Sequence, residues 1–223
     1  MKGKLTGETV KQYGIEAGAK VVGIAAAADF TKVPEGFAPG DLLEGCRSVI
    51  VLGAPLPKEA ILGNPIGFID IRNALNERMN DAAKSVAKQI KRDGCKSLVV
   101  AGMSGKWVNG KMHGHISLKH AAELAGLGVI GKNYLLNNPE YGNILWFSAV
   151  LTDAELEPDK KSCHEICKKC NKCVTACPVN ALDNPAAFDK EKCAKTMFKM
   201  IDKKMEIMCF ACRTACPHCF GKR

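Results

Sequence analysis

Short runs of apolar residues, bounded by glycine, proline or charged residues, predict buried strands in the N-terminal part of the chain. These strands are Lys20–Ala27, Ser48–Ala54, Ser97–Ala101 and Asn143–Leu151. A 3–4 spacing of apolar residues predicts a long helix over 69–92, which Gly94 would end. Shorter helices are predicted over 5–18 and 116–126. Alternating strands and helices indicate a layered α/β or α+β domain, and the strand order stays open.

The C-terminal part of the chain follows a different pattern, rich in cysteine and lysine. A first run reads C-x2-C-x2-C-x3-C and consists of Cys167, Cys170, Cys173 and Cys177, with Pro178 directly after it. This is the bacterial ferredoxin spacing for [4Fe–4S] clusters, in which the fourth cysteine binds the other cluster. A shorter copy before Pro217 consists of Cys209, Cys212 and Cys216. The spacing therefore predicts a redox protein with two clusters.

The spacing also predicts how the cysteines divide between the clusters. The first cluster takes Cys167, Cys170, Cys173 and Cys216. The second takes Cys177, Cys209, Cys212 and one further thiolate, because Glu206 occupies the place of the missing cysteine. Cys193 is the preferred candidate, and Cys163 and Cys219 are its alternatives. A structural zinc site is the competing interpretation, but it accounts poorly for four close cysteines that end in Cys-Pro.

Length and composition agree with two modest domains. The chain has 223 residues, 47% of them hydrophobic, and its composition changes near residue 156. The predicted domains are therefore 1–155 and 156–223. The N-terminus lacks the apolar segment of a signal peptide, and no apolar run is long enough to span a membrane. We expect a cytoplasmic protein without membrane contact, in which twelve cysteines favour metal ligation over disulfides.

The formal net charge is +9, and many lysines lie beside the cysteines. This pattern suits a docking face for an acidic electron donor or a nucleic-acid patch. An ordinary solvated surface that balances the negative charge of the clusters accounts for it equally simply.

A glycine-rich stretch, AGLGVIGKNYLLNNPEYG over Ala125–Gly142, precedes the cysteines. Its glycines Gly126, Gly128 and Gly131 have G-x-G-x-x-G spacing, but they follow a predicted helix, so the context of a dinucleotide-binding strand and helix is absent. Lys132 could stabilise negative charge on a reduced substrate, or complement the dipole at the end of a helix.

The segments AELAGLGVIGKNYLLNNPEYGN, LTDAELEPD and ICKKCNKCVTACPVNAL resemble those of the epoxyqueuosine reductases. They also resemble the C-terminal halves of corrinoid-dependent reductive dehalogenases. The resemblance implies an α+β protein: a nitroreductase-like α/β layered cobalamin-binding domain, then a ferredoxin-like domain with two [4Fe–4S] clusters. It implies electron flow from a donor such as a ferredoxin or flavodoxin, through the clusters, to the cobalt of a corrinoid. A separate corrinoid protein is a further candidate partner.

The resemblance also points to individual residues. Cys193 matches the isolated ligand of the second cluster. The residues predicted to bind the corrinoid are Gly126, Gly128, Gly131, Lys132, Asn133, Tyr141 and Gly142. Lys132 and His115 are the candidate catalytic residues.

Two departures from the epoxyqueuosine reductases affect the predicted function. Those enzymes carry an acidic proton donor about a dozen residues before AGLG, whereas Asn109–His120 contains no Asp or Glu and has His113, His115 and His120. The helical-repeat tail that many of them have is also missing, as is the twin-arginine leader of the dehalogenases. We therefore expect an iron–sulfur oxidoreductase that reduces a corrinoid or a partner, with no nucleic-acid partner. The alternatives are a ferredoxin-type carrier without a corrinoid and an epoxyqueuosine reductase that acts on tRNA.

Overall fold

The computed structural model describes residues 5–108, 111–163, 165–184 and 187–222. The helices are α1 (Gly7–Glu16), α2 (Pro39–Leu42), α3 (Lys58–Leu62), α4 (Phe68–Arg92), α5 (Leu118–Leu124), α6 (Lys172–Thr175), α7 (Lys190–Met197) and α8 (Ala211–Thr214). The strands are β1 (Val21–Ala26), β2 (Ser48–Pro55), β3 (Ser97–Val100), β4 (Gly105–Val108), β5 (Lys111–Gly114), β6 (Val129–Ile130), β7 (Leu136–Asn137), β8 (Leu145–Thr152), β9 (Phe198–Ile201) and β10 (Lys204–Ile207). Each strand and helix predicted from the apolar pattern is confirmed, and the fold is mixed α+β.

The largest sheet has four strands in the order β1-β2-β8-β3. Strand β1 pairs antiparallel with β2, and β3 pairs antiparallel with β8. The central part of β2, Val49–Leu52, has no exposed surface. A continuous apolar run of this kind suits a strand covered on both faces. The sequence left the strand order open, since the order depends on pairing between distant segments.

Helix α4 is the long helix that the apolar spacing predicted, and it has 25 residues. Its buried positions include Met79, Val86 and Ile90, which recur with helical spacing. The chain leaves the helix at Gly94, whose φ of +92° is accessible to glycine at little cost. Within the described ranges, no helix combines the length and the apolar character needed to cross a membrane.

Two asparagines one turn apart on α4 join the helix to the sheet. The Trp146 indole N–H donates to Asn76 Oδ1 at 3.0 Å. The Ser148 hydroxyl donates to Asn80 Oδ1 at 2.6 Å, and the Gly102 N–H donates to the same oxygen at 2.8 Å. Because Ser148 is fully buried, Asn80 supplies its hydroxyl with a partner that water cannot replace.

The chain divides into two compact units that are not consecutive segments. The first unit comprises Met1–Ala54, Leu75–Gly128 and Trp146–Ser162. The second comprises Pro55–Ala74, Val129–Leu145 and Cys163–Arg223. This division differs from the predicted boundary between 155 and 156. The change in composition marks the start of the cysteine-rich segment. It does not indicate that 55–74 and 129–145, which come earlier in the chain, pack with that segment.

We predict that Asn80→Ala lowers the free energy of unfolding by about 1–3 kcal/mol, because it removes the acceptor for the Ser148 hydroxyl and the Gly102 N–H. Urea unfolding followed by circular dichroism measures the change. Lys84→Ala is the matched control on the same helix, since its ammonium is exposed and pairs with Asp81, at 2.8 Å. It should change stability by about 0.5 kcal/mol or less. Equal losses in the two variants would show that the Asn80 contacts do not stabilise the fold.

Candidate iron–sulfur centres

The first predicted set of thiols comes together in the second unit. Cys167, Cys170, Cys173 and Cys216 line one pocket. Cys173 lies on α6, and Cys216 follows α8. The Cys170 N–H donates to Cys167 O at 3.3 Å, which folds the C-x2-C segment into a turn. Short turns of this kind bring several sulfurs from a few residues to one place, and the structure groups the four cysteines as the spacing predicts.

The second predicted set also comes together. Burial raises the pKa of the Cys193 thiol, and negative charge on Cys209 and Cys177 raises it further. Burial raises the pKa of Cys212 to about 11, with added contributions from Cys193, Cys209 and Cys173, the last a member of the first set. These effects place Cys193 near Cys177 and Cys209, and Cys212 near Cys193 and Cys209. Of the alternatives to Cys193, Cys163 is exposed, and Cys219 is buried, with its N–H donating to Cys216 O at 3.0 Å in the first set.

Raised thiol pKa values have a direct chemical meaning. Without a metal, Cys193 and Cys212 hold their protons at neutral pH, whereas a metal ligand must be a thiolate. Cluster assembly would therefore release protons and supply positive charge to the buried sulfurs. In the described residues, no three His, Cys, Asp or Glu side chains are arranged to hold a single metal ion. A four-iron cluster places different demands on its ligands, because each thiolate binds a different iron.

The glycine-rich stretch lies against the cysteine loops. A Cβ atom on Gly131 would lie 3.3 Å from Cys167 Sγ and 2.7 Å from Asn137 Nδ2. Gly142 has a φ of +62°, and a Cβ there would lie 2.2 Å from the carbonyl oxygen of His218. Only glycine allows the backbone to come this close. Both glycines thus serve the packing of the cysteine loops, whatever further ligand they contact.

The two residues after Gly131 also hold the loops. Lys132 Nζ donates to Cys170 O at 3.0 Å and to Asn171 Oδ1 at 2.7 Å. The buried Asn133 donates from Nδ2 to Cys212 O at 3.4 Å. Lys132 lies outside any helix, so the interpretation as a helix-terminal lysine is wrong. Lys132 therefore contacts the loop of the first thiol set, and Asn133 contacts the loop of the second.

The other predicted corrinoid residues have separate positions. Gly126, with a φ of +73°, follows the end of α5 in the first unit, and Gly128 lies there too. Tyr141 belongs to the second unit and is half-buried, and burial raises the pKa of its hydroxyl. The seven residues therefore divide between the two units. Their contact with a corrinoid stays a prediction.

Arg213 is a residue of the site that sequence reasoning missed. Its guanidinium donates to the Asn143 carbonyl oxygen and, at 3.4 Å, to Asn143 Oδ1. Desolvation lowers the pKa of Arg213, while the neighbouring Cys219 and Cys212 favour its charged form. Cys219 donates its S–H to Asn143 Oδ1 at 3.6 Å, and burial raises its pKa to about 11. Arg213 directly follows Cys212 in the sequence, but an arginine after a cysteine is common. The sequence alone therefore does not identify this cation beside the second thiol set.

The three histidines of the first unit have individual surroundings. The His113 ring packs on Phe37 at 5.7 Å between centroids. His120 Nδ1 shares a hydrogen bond with Ser117 Oγ at 2.6 Å, and burial lowers its pKa. His115 Nδ1 is buried and has no hydrogen-bond partner among the described residues. Nδ1 of His115 is therefore a buried polar atom left unsatisfied by the described residues, and His115 stays a candidate proton donor.

A second pocket lies next to the first thiol set. Its volume is about 380 Å³, and its lining comprises Asn137, Asn138, Pro139, Ile166, Pro217, His218, Gly221 and Lys222. Four of these residues, Asn137, Ile166, Pro217 and His218, also line the thiol pocket. Its volume lies in the range of small-molecule sites, about 300–1,000 Å³. A ligand in this pocket would be a neighbour of the first set of sulfurs.

Comparison with known proteins agrees with this site. Residues 164–183 match the family model described as a 4Fe-4S binding domain. The epoxyqueuosine reductase of Gloeobacter violaceus is 28% identical over 196 residues, which cover 79% of this chain and 57% of that enzyme. The chain spans between 30% and 57% of the first curated relatives that it matches, all of which are named epoxyqueuosine reductase.

Solved structures show the same fold at lower identity. An epoxyqueuosine reductase solved with an epoxyqueuosine-modified tRNA-Tyr stem loop has a TM-score of 0.67 and 20% identity, and covers 95% of this chain and 64% of that one. A reductive dehalogenase described as acting by a B12-dependent mechanism has a TM-score of 0.62 and 23% identity, with 78% and 25% covered. The resemblance seen in the sequence segments is confirmed: this iron–sulfur redox protein is a relative of the epoxyqueuosine reductases, and it shares its mixed α+β fold with them and with reductive dehalogenases.

Proposed function

We propose that this chain uses two [4Fe–4S] clusters to pass single electrons from a protein donor to a corrinoid. The observation that carries the proposal is the grouping of eight cysteines into two sets of four. One set shares a pocket, and the other shows mutual effects on thiol pKa. Seven of these cysteines are the ones that the ferredoxin spacing assigns, and Cys193 is the preferred candidate for the eighth, which supports the proposal.

The protein residues fit such clusters. Each set offers four thiol sulfurs, the ligand type and number that a [4Fe–4S] cluster takes, and the bound clusters would supply one-electron chemistry. Lys132 and Asn133 hold the carbonyl groups of Cys170 and Cys212, so the loops keep their shape. Arg213 places a cation beside Cys212, where it offsets negative charge on the thiolates.

A corrinoid is the proposed electron acceptor, either held by this chain or carried by a partner protein. Support comes from the fold shared with a dehalogenase described as B12-dependent. The nitroreductase-like architecture of the N-terminal domain belongs to the same proposal. The pocket beside the first thiol set and the half-buried Tyr141 offer contacts for a ligand that must receive electrons. A ferredoxin or flavodoxin is the proposed donor.

Reduction of epoxyqueuosine in tRNA is the second candidate function. It is favoured by the curated relatives, which carry that name, and by the related structure solved with a tRNA stem loop. The segment Asn109–His120 offers no carboxylate as proton donor. The His115 imidazole is the group here that could take that role.

We predict about eight iron atoms and eight sulfides per anaerobically reconstituted chain, because two four-iron clusters are expected. Cys193→Ala should lower the iron content to about four and remove one signal from the electron paramagnetic resonance spectrum. Cys163→Ala is the matched control, since Cys163 is exposed and outside both sets. It should keep both clusters. The assignment is wrong if Cys219→Ala loses a cluster while Cys193→Ala keeps both.

We predict that wild-type protein with both clusters shifts the visible spectrum of added cobalamin. Tyr141→Ala should weaken this binding about tenfold, as expected for the loss of one aromatic contact. Its iron content should be unchanged, because Tyr141 belongs to neither thiol set. Gly131 is unsuited to this test, since a side chain there would press on Cys167. Tyr13→Ala, which removes a phenol bonded to Asp93, is the control. Absence of any spectral shift at high micromolar cobalamin contradicts the form of the proposal in which this chain itself holds the corrinoid.

Incubation with an epoxyqueuosine-modified stem loop, cobalamin and a low-potential reductant separates the two candidate functions. We predict no loss of oxygen from the nucleoside, because the carboxylate proton donor is missing. Mass spectrometry of the digested RNA makes the measurement. Turnover that disappears in His115→Ala would instead establish tRNA reduction with an imidazole as proton donor.

A further inference from the structure

The hairpin of β9 and β10 exposes two methionines side by side. Met200 and Met205 are directly opposite each other in the antiparallel register, so their side chains share one face. They are 68% and 55% exposed. Ile207 and Glu206, at the base of the same hairpin, are 6% and 5% exposed. The base is therefore anchored in the second unit, and the tip projects into solvent.

The tip has a tight turn that holds its shape. Asp202 and Lys203 join the strands, and both have positive φ, +48° and +64°. Positive φ at both positions is the geometry of a two-residue hairpin turn. The Met208 N–H donates to Met197 O at 2.8 Å and closes the other end. An exposed apolar pair on such a preformed hairpin contributes nothing to the core and loses little entropy when a partner covers it.

The exposed charges around the methionines are mostly positive. The nearby lysines, all exposed, are Lys203 in the turn, Lys199 and Lys204 on the face of the hairpin opposite the methionines, and Lys195 on α7. Asp202 is the exposed carboxylate at the tip, because Glu206 is turned inward, where it accepts from the Gly67 N–H at 3.3 Å. Such a surface attracts an acidic partner and repels a second copy of itself.

The hairpin also joins two members of the second thiol set. Cys193 lies on α7, directly before β9, and Cys209 follows β10. Three residues lie between Met205 and Cys209, so their Cα atoms, four steps apart along the chain, are at most about 14 Å apart. A partner seated on the tip would therefore bring its redox centre near this set.

We propose that this hairpin tip, formed by Met200, Met205 and the surrounding lysines, is the docking surface for an acidic one-electron carrier protein. The proposal rests on the iron–sulfur function proposed above and names where its donor binds. The donor loses one electron and the second cluster gains it, with no bond or proton transferred. Weak electron-transfer complexes bury small interfaces, below about 1,200 Å², and adaptable methionines are enriched in interfaces. Nucleic acid would use the lysines but would leave the methionine pair unexplained.

Anaerobic stopped-flow mixing of the cluster-loaded protein with reduced acidic flavodoxin tests the proposal through the bleaching of cluster absorbance. The double variants Met200→Gln/Met205→Gln and Lys203→Glu/Lys204→Glu should each lower the second-order rate constant about tenfold or more. The wild-type rate should fall as salt rises, because salt screens the lysines. Reduction by dithionite, which needs no docking surface, should be unchanged in both variants.

Matched controls lie in the first unit. Met103→Gln changes a methionine that is 57% exposed, and Lys88→Glu/Lys91→Glu reverses two exposed lysines of α4. Both should keep the wild-type rate with flavodoxin. Equal losses in the controls, or unchanged rates in the hairpin variants, overturn the docking surface while leaving the clusters intact.

Two further outcomes also overturn it. If the lysine variant loses binding to an RNA stem loop but keeps its rate with flavodoxin, the face is a nucleic-acid site. If dithionite bleaches no cluster absorbance in the wild type, the iron–sulfur function itself fails, and the docking proposal fails with it.

Discussion

The close approach of the segment 129–145 to the cysteine loops is the constraint on which the second unit depends. Gly142 admits the backbone of His218, and Gly131 leaves room beside the Cys167 sulfur. Asn143 then bonds Arg213, and Asn133 bonds the carbonyl of Cys212. Without these contacts, loops that carry buried thiols would have few partners for their backbone groups. The cysteines provide the ligands, while the glycine-rich segment determines where those ligands lie.

Charge is distributed around the thiols in a way that suits electron transfer. Arg213 lies beside the second set and Lys132 beside the loop of the first. Both cations would stabilise a cluster that carries net negative charge. The lysines of the β9–β10 hairpin are exposed instead. They therefore attract an approaching partner protein and have little effect on the cluster itself. Arg213 and Lys132 thus have a different role from the hairpin lysines. Substitutions in the two groups should affect different measurements.

Much of this architecture could be predicted from the sequence, for identifiable reasons. The run Val49–Leu52 is apolar on both faces of its strand, and α4 repeats its apolar residues with helical spacing, so local pattern was sufficient. Strands β6 and β7 have two residues each and show no period. Packing of 55–74 with the cysteine segment depends on contacts between distant residues, which local patterns do not record. Cysteine spacing assigned seven of the eight thiols to the two sets, because ligand spacing follows from cluster geometry, and left Cys193 as the preferred of three candidates for the eighth. Arg213 was missed because its importance comes from burial.

Anomalous diffraction at the iron edge, on crystals of the reconstituted protein grown without oxygen, locates the iron atoms and the sulfurs that bind them. We predict two separate four-iron clusters, because each thiol set offers four ligands. One should be bound by Cys167, Cys170, Cys173 and Cys216, and the other by Cys177, Cys193, Cys209 and Cys212. A single iron cluster, zinc in place of iron, or ligation by Cys219 in place of Cys193 would contradict the account.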